Sequence, residues 1–194
     1  MKHSRLLIIS LFIGIISSLS SCSFYCEKIN PNQTACRFYN VKSDIKKISN
    51  LPSYDWKFKR ISSSKPVLNW HLENREATVT ISNELIKQTK NNDELTLLLT
   101  QAMAHLSLRH PNSVDFTTYD DLKVREADRL GMAYASRVVY DPRPAKAMWM
   151  RLADKYHGSP YVGFSWNEGR EETYTWNIEP IMRLYNGRKN LTVH

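Results

Sequence analysis

The sequence is poor in cysteine and glycine, and it has one long apolar run. Three Cys among 194 residues are too few for a small disulfide-built scaffold. Six Gly and eight Pro, without a period, exclude collagen-like and low-complexity chains. Confinement of the apolar run to the N-terminus excludes a multi-span membrane protein. No Ser-His-Asp signature and no Gly-rich phosphate loop occurs. Nor is there an Arg-Gly, zinc-finger or stacked-aromatic pattern of the kind that binds nucleic acid. Acidic residues are the scarcer charge, 19 against 27 Lys and Arg, for a formal net charge of +8. What remains is ordinary globular composition: 42% hydrophobic, 24% charged and 11% aromatic residues. That is enough bulk for one core and one folded domain.

Lys2 and Arg5 precede an aliphatic stretch from Leu6 to Ile16, and Ser17 to Ser21 is small and polar apart from Leu19. This order reads as a secretory signal over residues 1–21, too short for a comfortable membrane span. Leu19-Ser20-Ser21-Cys22 resembles the lipobox of bacterial lipoproteins. That resemblance implies lipidation at Cys22 and a periplasm-facing anchor in the cell envelope. Ser23 implies the outer membrane if the source is Gram-negative. Removing residues 1–21 leaves 25 basic against 19 acidic residues. Such a balance suits anionic lipid or acidic partners, or is simply a basic surface. An exported chain meets an oxidising compartment, which favours a Cys26–Cys36 disulfide over two free thiols.

Residues 22–60 read as a tether followed by a packing segment around Tyr54, Trp56 and Phe58. Val67–Trp70 and Ala77–Ile81 read as strands, the second with the alternation of a half-buried sheet. A helix is expected from Asp93, as N-cap, to about Arg109, apolar almost all round and stopped by Pro111. A second is expected over about Asp120–Tyr140. A third opens at Asp141-Pro142 and ends at Gly158, and a fourth lies near Glu179–Tyr185. Strands followed by a buried helix pair imply an α+β domain.

The informative string is Gln101-Ala102-Met103-Ala104-His105 on the buried helix. Positions 101 and 105 share one helical face, where a zinc protease places two His with Glu after the first. Downstream come Arg125-Glu126-Ala127-Asp128-Arg129-Leu130-Gly131 and then Tyr140-Asp141-Pro142-Arg143. This order resembles the HtpX and CAAX prenyl protease type of zinc metallopeptidase over about residues 76–156. The resemblance implies a zincin-like fold for residues 61–194, in which the active helix packs on a small sheet. It places the first zinc His at Gln101, the catalytic Glu at Ala102 and the second zinc His at His105. The third ligand, a Glu, falls at Val124, and the Asp that supports the metal ligands at Asp128. An Arg near the site falls at Arg183, with Asn177 in place of a His.

Two of three ligands and the base are therefore replaced. A catalytic zinc needs three protein ligands and a water. A Gln amide oxygen is a poor substitute and Val offers nothing. Loss of the base alone costs about 10²–10⁴ in rate. The expectation is a non-catalytic, peptide- or protein-binding pseudo-metallopeptidase with no cofactor and an unidentified partner. Two alternatives stand beside it. One is a working zinc peptidase with a rebuilt site, using His105 and a residue from the tail. The other is a structural envelope lipoprotein. Four finer expectations follow. Asp128 accepts hydrogen bonds from Gln101 or His105. His110, about 140° round the helix from His105, does not converge with it on one ion. His71, His157 and His194 could supply metal ligands, but nothing in their spacing asks for it. Ala77–Ile81 is the edge strand along which a peptide would add.

Overall fold

The computed structural model describes residues 33–48, 51–113, 121–156 and 166–191. The signal segment, Cys22, Cys26, His157 and His194 lie outside the described residues. Among the described residues, no helix is long and apolar enough to cross a membrane. The chain is α+β. Its elements are α1 (Thr34–Ile45), β1 (Asp55–Ile61), β2 (Leu68–Glu73), β3 (Glu76–Ser82), α2 (Asn83–Gln88), α3 (Asn92–Ser107), α4 (Asp121–Arg137), α5 (Ala145–Lys155) and α6 (Glu168–Leu191).

β2 and β3 form an antiparallel hairpin in which Glu73 faces Glu76. Its two-residue turn holds Asn74 and Arg75 at φ 46° and 74°, the left-handed backbone that tight hairpins need. β1 joins the other side of β3 in parallel, so the sheet order is β1-β3-β2. This corrects the expectation for Ala77–Ile81: β3 is the central strand and has no edge to offer. Its inward residues Ala77, Val79 and Ile81 are fully buried, as their alternation predicts.

The segment expected as a tether folds where it is described. Phe38, Val41 and Ile45, spaced three and four apart, put one apolar stripe of α1 into the core. Arg37 then ties α1 to the α2–α3 turn, with Nη1 on the Thr89 carbonyl at 3.0 Å and Nη2 on Thr89 Oγ1 at 2.7 Å. Cys36 is disulfide-bonded.

α3 runs beneath the sheet, and every residue from Glu94 to Leu106 is buried. Its N-cap is Asn91, whose Oδ1 accepts from the Glu94 N–H at 3.0 Å. Asp93, the expected cap, instead accepts from the Asp141 N–H at 2.9 Å and pins the start of the α5 approach. Buried Thr96 and Thr100 satisfy their hydroxyls on carbonyls one turn back. Glu94, also buried, pairs with Arg151 of α5 at 2.6 Å. α6 is far longer than the 179–185 expected. It runs through Pro180, which lies on the exposed side. The hydrogen bond that Pro180 cannot make belongs to the carbonyl of exposed Trp176, where water can replace it.

Candidate functional site

The site forms where α4 crosses α3. At Gly131 an added Cβ would lie 2.8 Å from Gln101 Cα and 2.9 Å from Gln101 N. Only a glycine admits this approach, and it brings the Val124–Asp128 face of α4 against the Gln101–His105 face of α3. The spacing that predicted both helices thus places the two halves of the motif together. Ala102 and Val124 are buried and apolar.

Gln101 Nε2 lies 3.1 Å from His105 Nε2, and His105 Nδ1 lies 3.0 Å from His110 Nδ1. His110 Nε2 then lies 3.2 Å from Glu126 Oε2. The two rings meet by a direct contact between their Nδ1 atoms, which the helical offset alone does not provide. The 140° offset holds only while the helix continues. α3 ends at Ser107, and Arg109 at φ 56° turns the chain back so that His110 reaches under His105.

Donor and acceptor roles follow along this chain of contacts. A carboxylate only accepts, so His110 Nε2 carries hydrogen and its Nδ1 offers a lone pair. His105 Nδ1 therefore donates to His110, and His105 Nε2 accepts from the Gln101 amide. This assignment gives the His105 ring one donating and one accepting nitrogen, as a neutral imidazole requires. Burial holds His105 well below the usual imidazole range, and the nearby His110 and Arg170 charges push the same way. Trp70 of β2 stacks on the His105 ring, with centroids 4.1 Å apart and planes 14° from parallel.

These residues do not fit a hydrolytic zinc ion. Both nitrogens of His105 are engaged, Gln101 presents its amide N–H to the ring, and positions 102 and 124 carry no donor. Among the described residues, no group of three or more His, Cys, Asp or Glu side chains is placed to hold a metal.

Asp128 does not serve Gln101 or His105. It pairs with Arg170 of α6, whose Nε and Nη2 donate at 2.6 and 2.8 Å to its two oxygens. Both residues are fully buried, and the guanidinium lies 4.2 Å from the Trp149 ring centroid. Burial pushes the Asp128 carboxyl up, against the downward pull of Arg170 and Tyr174. Burial and the neighbouring Asp128 carry the Tyr174 hydroxyl well above its ordinary value. Arg183, assigned to the site by resemblance, is 75% exposed and faces Glu179 on the surface at 3.8 Å. Asn177 donates within α6 to the Thr173 carbonyl. His71 is exposed beside Glu73. Sequence reasoning passed over Arg170 because Gly169-Arg170-Glu171-Glu172 reads as solvated. The signal was the stripe it begins, with Tyr174, Ile181 and Tyr185 at helical spacing.

The cleft between β2 and α3 is filled by the chain itself. The hairpin register turns the N–H groups of Trp70 and Leu72 away from β3. Ser113 Oγ accepts the first at 3.1 Å, and Asn112 Oδ1 accepts the second at 2.8 Å. The Pro111 carbonyl accepts Trp70 Nε1 at 2.9 Å.

No protein-family model matches the chain, and no curated protein matches it. The resemblance to zinc metallopeptidases rests on the residues quoted.

Proposed function

We propose that the chain is a non-catalytic member of the HtpX and CAAX prenyl protease type of metallopeptidase. In this reading Cys22 holds it to the bacterial cell envelope, facing the periplasm, and it acts by binding a peptide or protein. One observation carries the proposal. The positions that would hold zinc and the base carry Gln101, Ala102, His105 and Val124: two apolar side chains, and a Gln101–His105 contact that continues to His110 and Glu126. A pocket that has merely lost a metal leaves buried donors or carboxylates unsatisfied. This one is rebuilt as core, so water is neither coordinated nor deprotonated in it.

The filled β2 edge supports a second reading, a structural envelope lipoprotein without a ligand in the cleft. It speaks against a peptide lying in the former substrate position.

Restoring the lost groups tests the family assignment. A variant carrying Gln101→His, Ala102→Glu and Val124→Glu together regains the two lost ligands, making three with His105, and the base. The expected result is one zinc per folded chain after exhaustive dialysis. A folded variant that retains no zinc would mean that the four positions do not converge as a zincin requires.

A further inference from the structure

With β2 capped, β1 is the other sheet edge, and the backbone groups it turns away from β3 have no partner among the described residues. The Asp55 N–H donates to the Arg75 carbonyl at 2.8 Å. In the parallel register this turns Asp55, Lys57, Lys59 and Ile61 toward β3. The alternate residues Trp56, Phe58 and Arg60 then present their N–H and carbonyl groups away from the sheet. The two faces beside this edge differ. On the inner face Tyr54, Trp56 and Phe58 form a ladder of rings, at 5.7 and 6.5 Å, and Tyr54 and Trp56 are only half-buried. On the outer face Lys57 and Lys59 are exposed. Lys57 pairs with Asp55 at 2.6 Å, and Lys59 has no ion pair among the described residues.

We propose that β1 is a docking edge for an extended segment of a partner protein in which apolar and acidic residues alternate. The proposal rests on the non-catalytic binding role and moves it from the cleft to the opposite side of the sheet. An added strand would satisfy the outward groups of Trp56, Phe58 and Arg60. Its side chains alternate between faces, so apolar residues meet the ring ladder while acidic ones meet the lysines. A second copy is a poorer occupant. Two β1 strands paired about Phe58 set Lys57 of each against Lys59 of the other, and like charges directly opposite destabilise.

The probe is a short fluorescent peptide alternating Val and Glu, with a Val–Lys peptide as counterpart, titrated by anisotropy into the full chain. The Val–Glu peptide binds saturably and more weakly at high salt, and the Val–Lys peptide does not bind. Reversing both charges, Lys57→Glu with Lys59→Glu, exchanges the preference. Arg60→Pro deletes one outward N–H and leaves the β3 ladder whole. It weakens Val–Glu binding about five-fold without moving the thermal transition by more than a few degrees. Absence of saturable binding by the folded protein overturns the proposal. So does equal binding of both peptides, or a concentration-dependent dimer that Arg60→Pro abolishes. Zinc content of the same preparation separates the two claims. A metal-free protein that ignores the peptide overturns the docking edge alone. One tightly held zinc overturns the non-catalytic reading, whichever peptide binds.

Discussion

Replacing Asp128 by Asn keeps the shape of the side chain and removes its charge. In the native protein the carboxylate meets two guanidinium N–H groups, at 2.6 and 2.8 Å, inside a site with 1% exposure for either residue. After substitution one oxygen remains, and an amide NH₂ faces a guanidinium N–H, donor against donor. Arg170 keeps its charge, because a guanidinium does not deprotonate in a protein. It cannot swing to water while it lies 4.2 Å over Trp149 under α6. Breaking one partner of a buried pair costs about 3–5 kcal/mol. For a chain of this size that lowers the melting temperature by roughly 6–20 °C. Urea denaturation at neutral pH reads the change as a lower midpoint at unchanged slope. A companion variant, Asp128→Leu with Arg170→Met, removes both charges and recovers most of the loss. Asp128→Asn within about 1 kcal/mol of the native protein would refute the assignment of Asp128 to Arg170. So would a companion variant no more stable than Asp128→Asn.

Two further outcomes follow from the same geometry. Gly131→Ala, which helix propensity alone would make stabilising by about 1 kcal/mol, instead destabilises by about 1–3 kcal/mol, because the Gln101 backbone cannot yield to the new Cβ; a raised melting temperature would contradict the close crossing. The unfolded His105 ring takes a proton below about pH 6.5 and the buried ring resists it, so stability falls as pH drops below that point, by up to about 1.4 kcal/mol per pH unit. The raised carboxyls of Asp93 and Asp128 act with the opposite sign, losing stability as pH rises through their folded values. The difference between the native protein and His105→Gln therefore isolates the ring, and identical pH profiles would refute its burial as a neutral group.

The parts of this fold that were legible in the sequence are those written in local periodicity. The alternation of Ala77, Val79 and Ile81 and the near-continuous apolar run of α3 marked a half-buried strand and the buried helix, but not the strand's central place in the sheet. Where several local signals compete, the reading slipped. α1 interleaves Lys and Asp among Phe38, Val41 and Ile45, so its narrow stripe passed for a tether. Pro180 hid the extension of α6 back to Glu168, which tolerates it because Trp176 faces water. The meeting of His105 and His110 was illegible, since it depends on the left-handed turn at Arg109. The Asp128–Arg170 pair was equally hidden, because its partners are 42 residues apart. The motif halves were brought together as their spacing implied, with Gly131 as the point of contact. The partners that satisfy each half came from elements whose distance in the sequence carries no periodic signal.

The central claim is that the former zinc site is rebuilt as a metal-free core. The most direct test is the zinc content of the purified protein after exposure to excess zinc and exhaustive dialysis. The account predicts no retained zinc, in the native protein and in His105→Ala alike. One zinc per native chain, lost in His105→Ala, would contradict it.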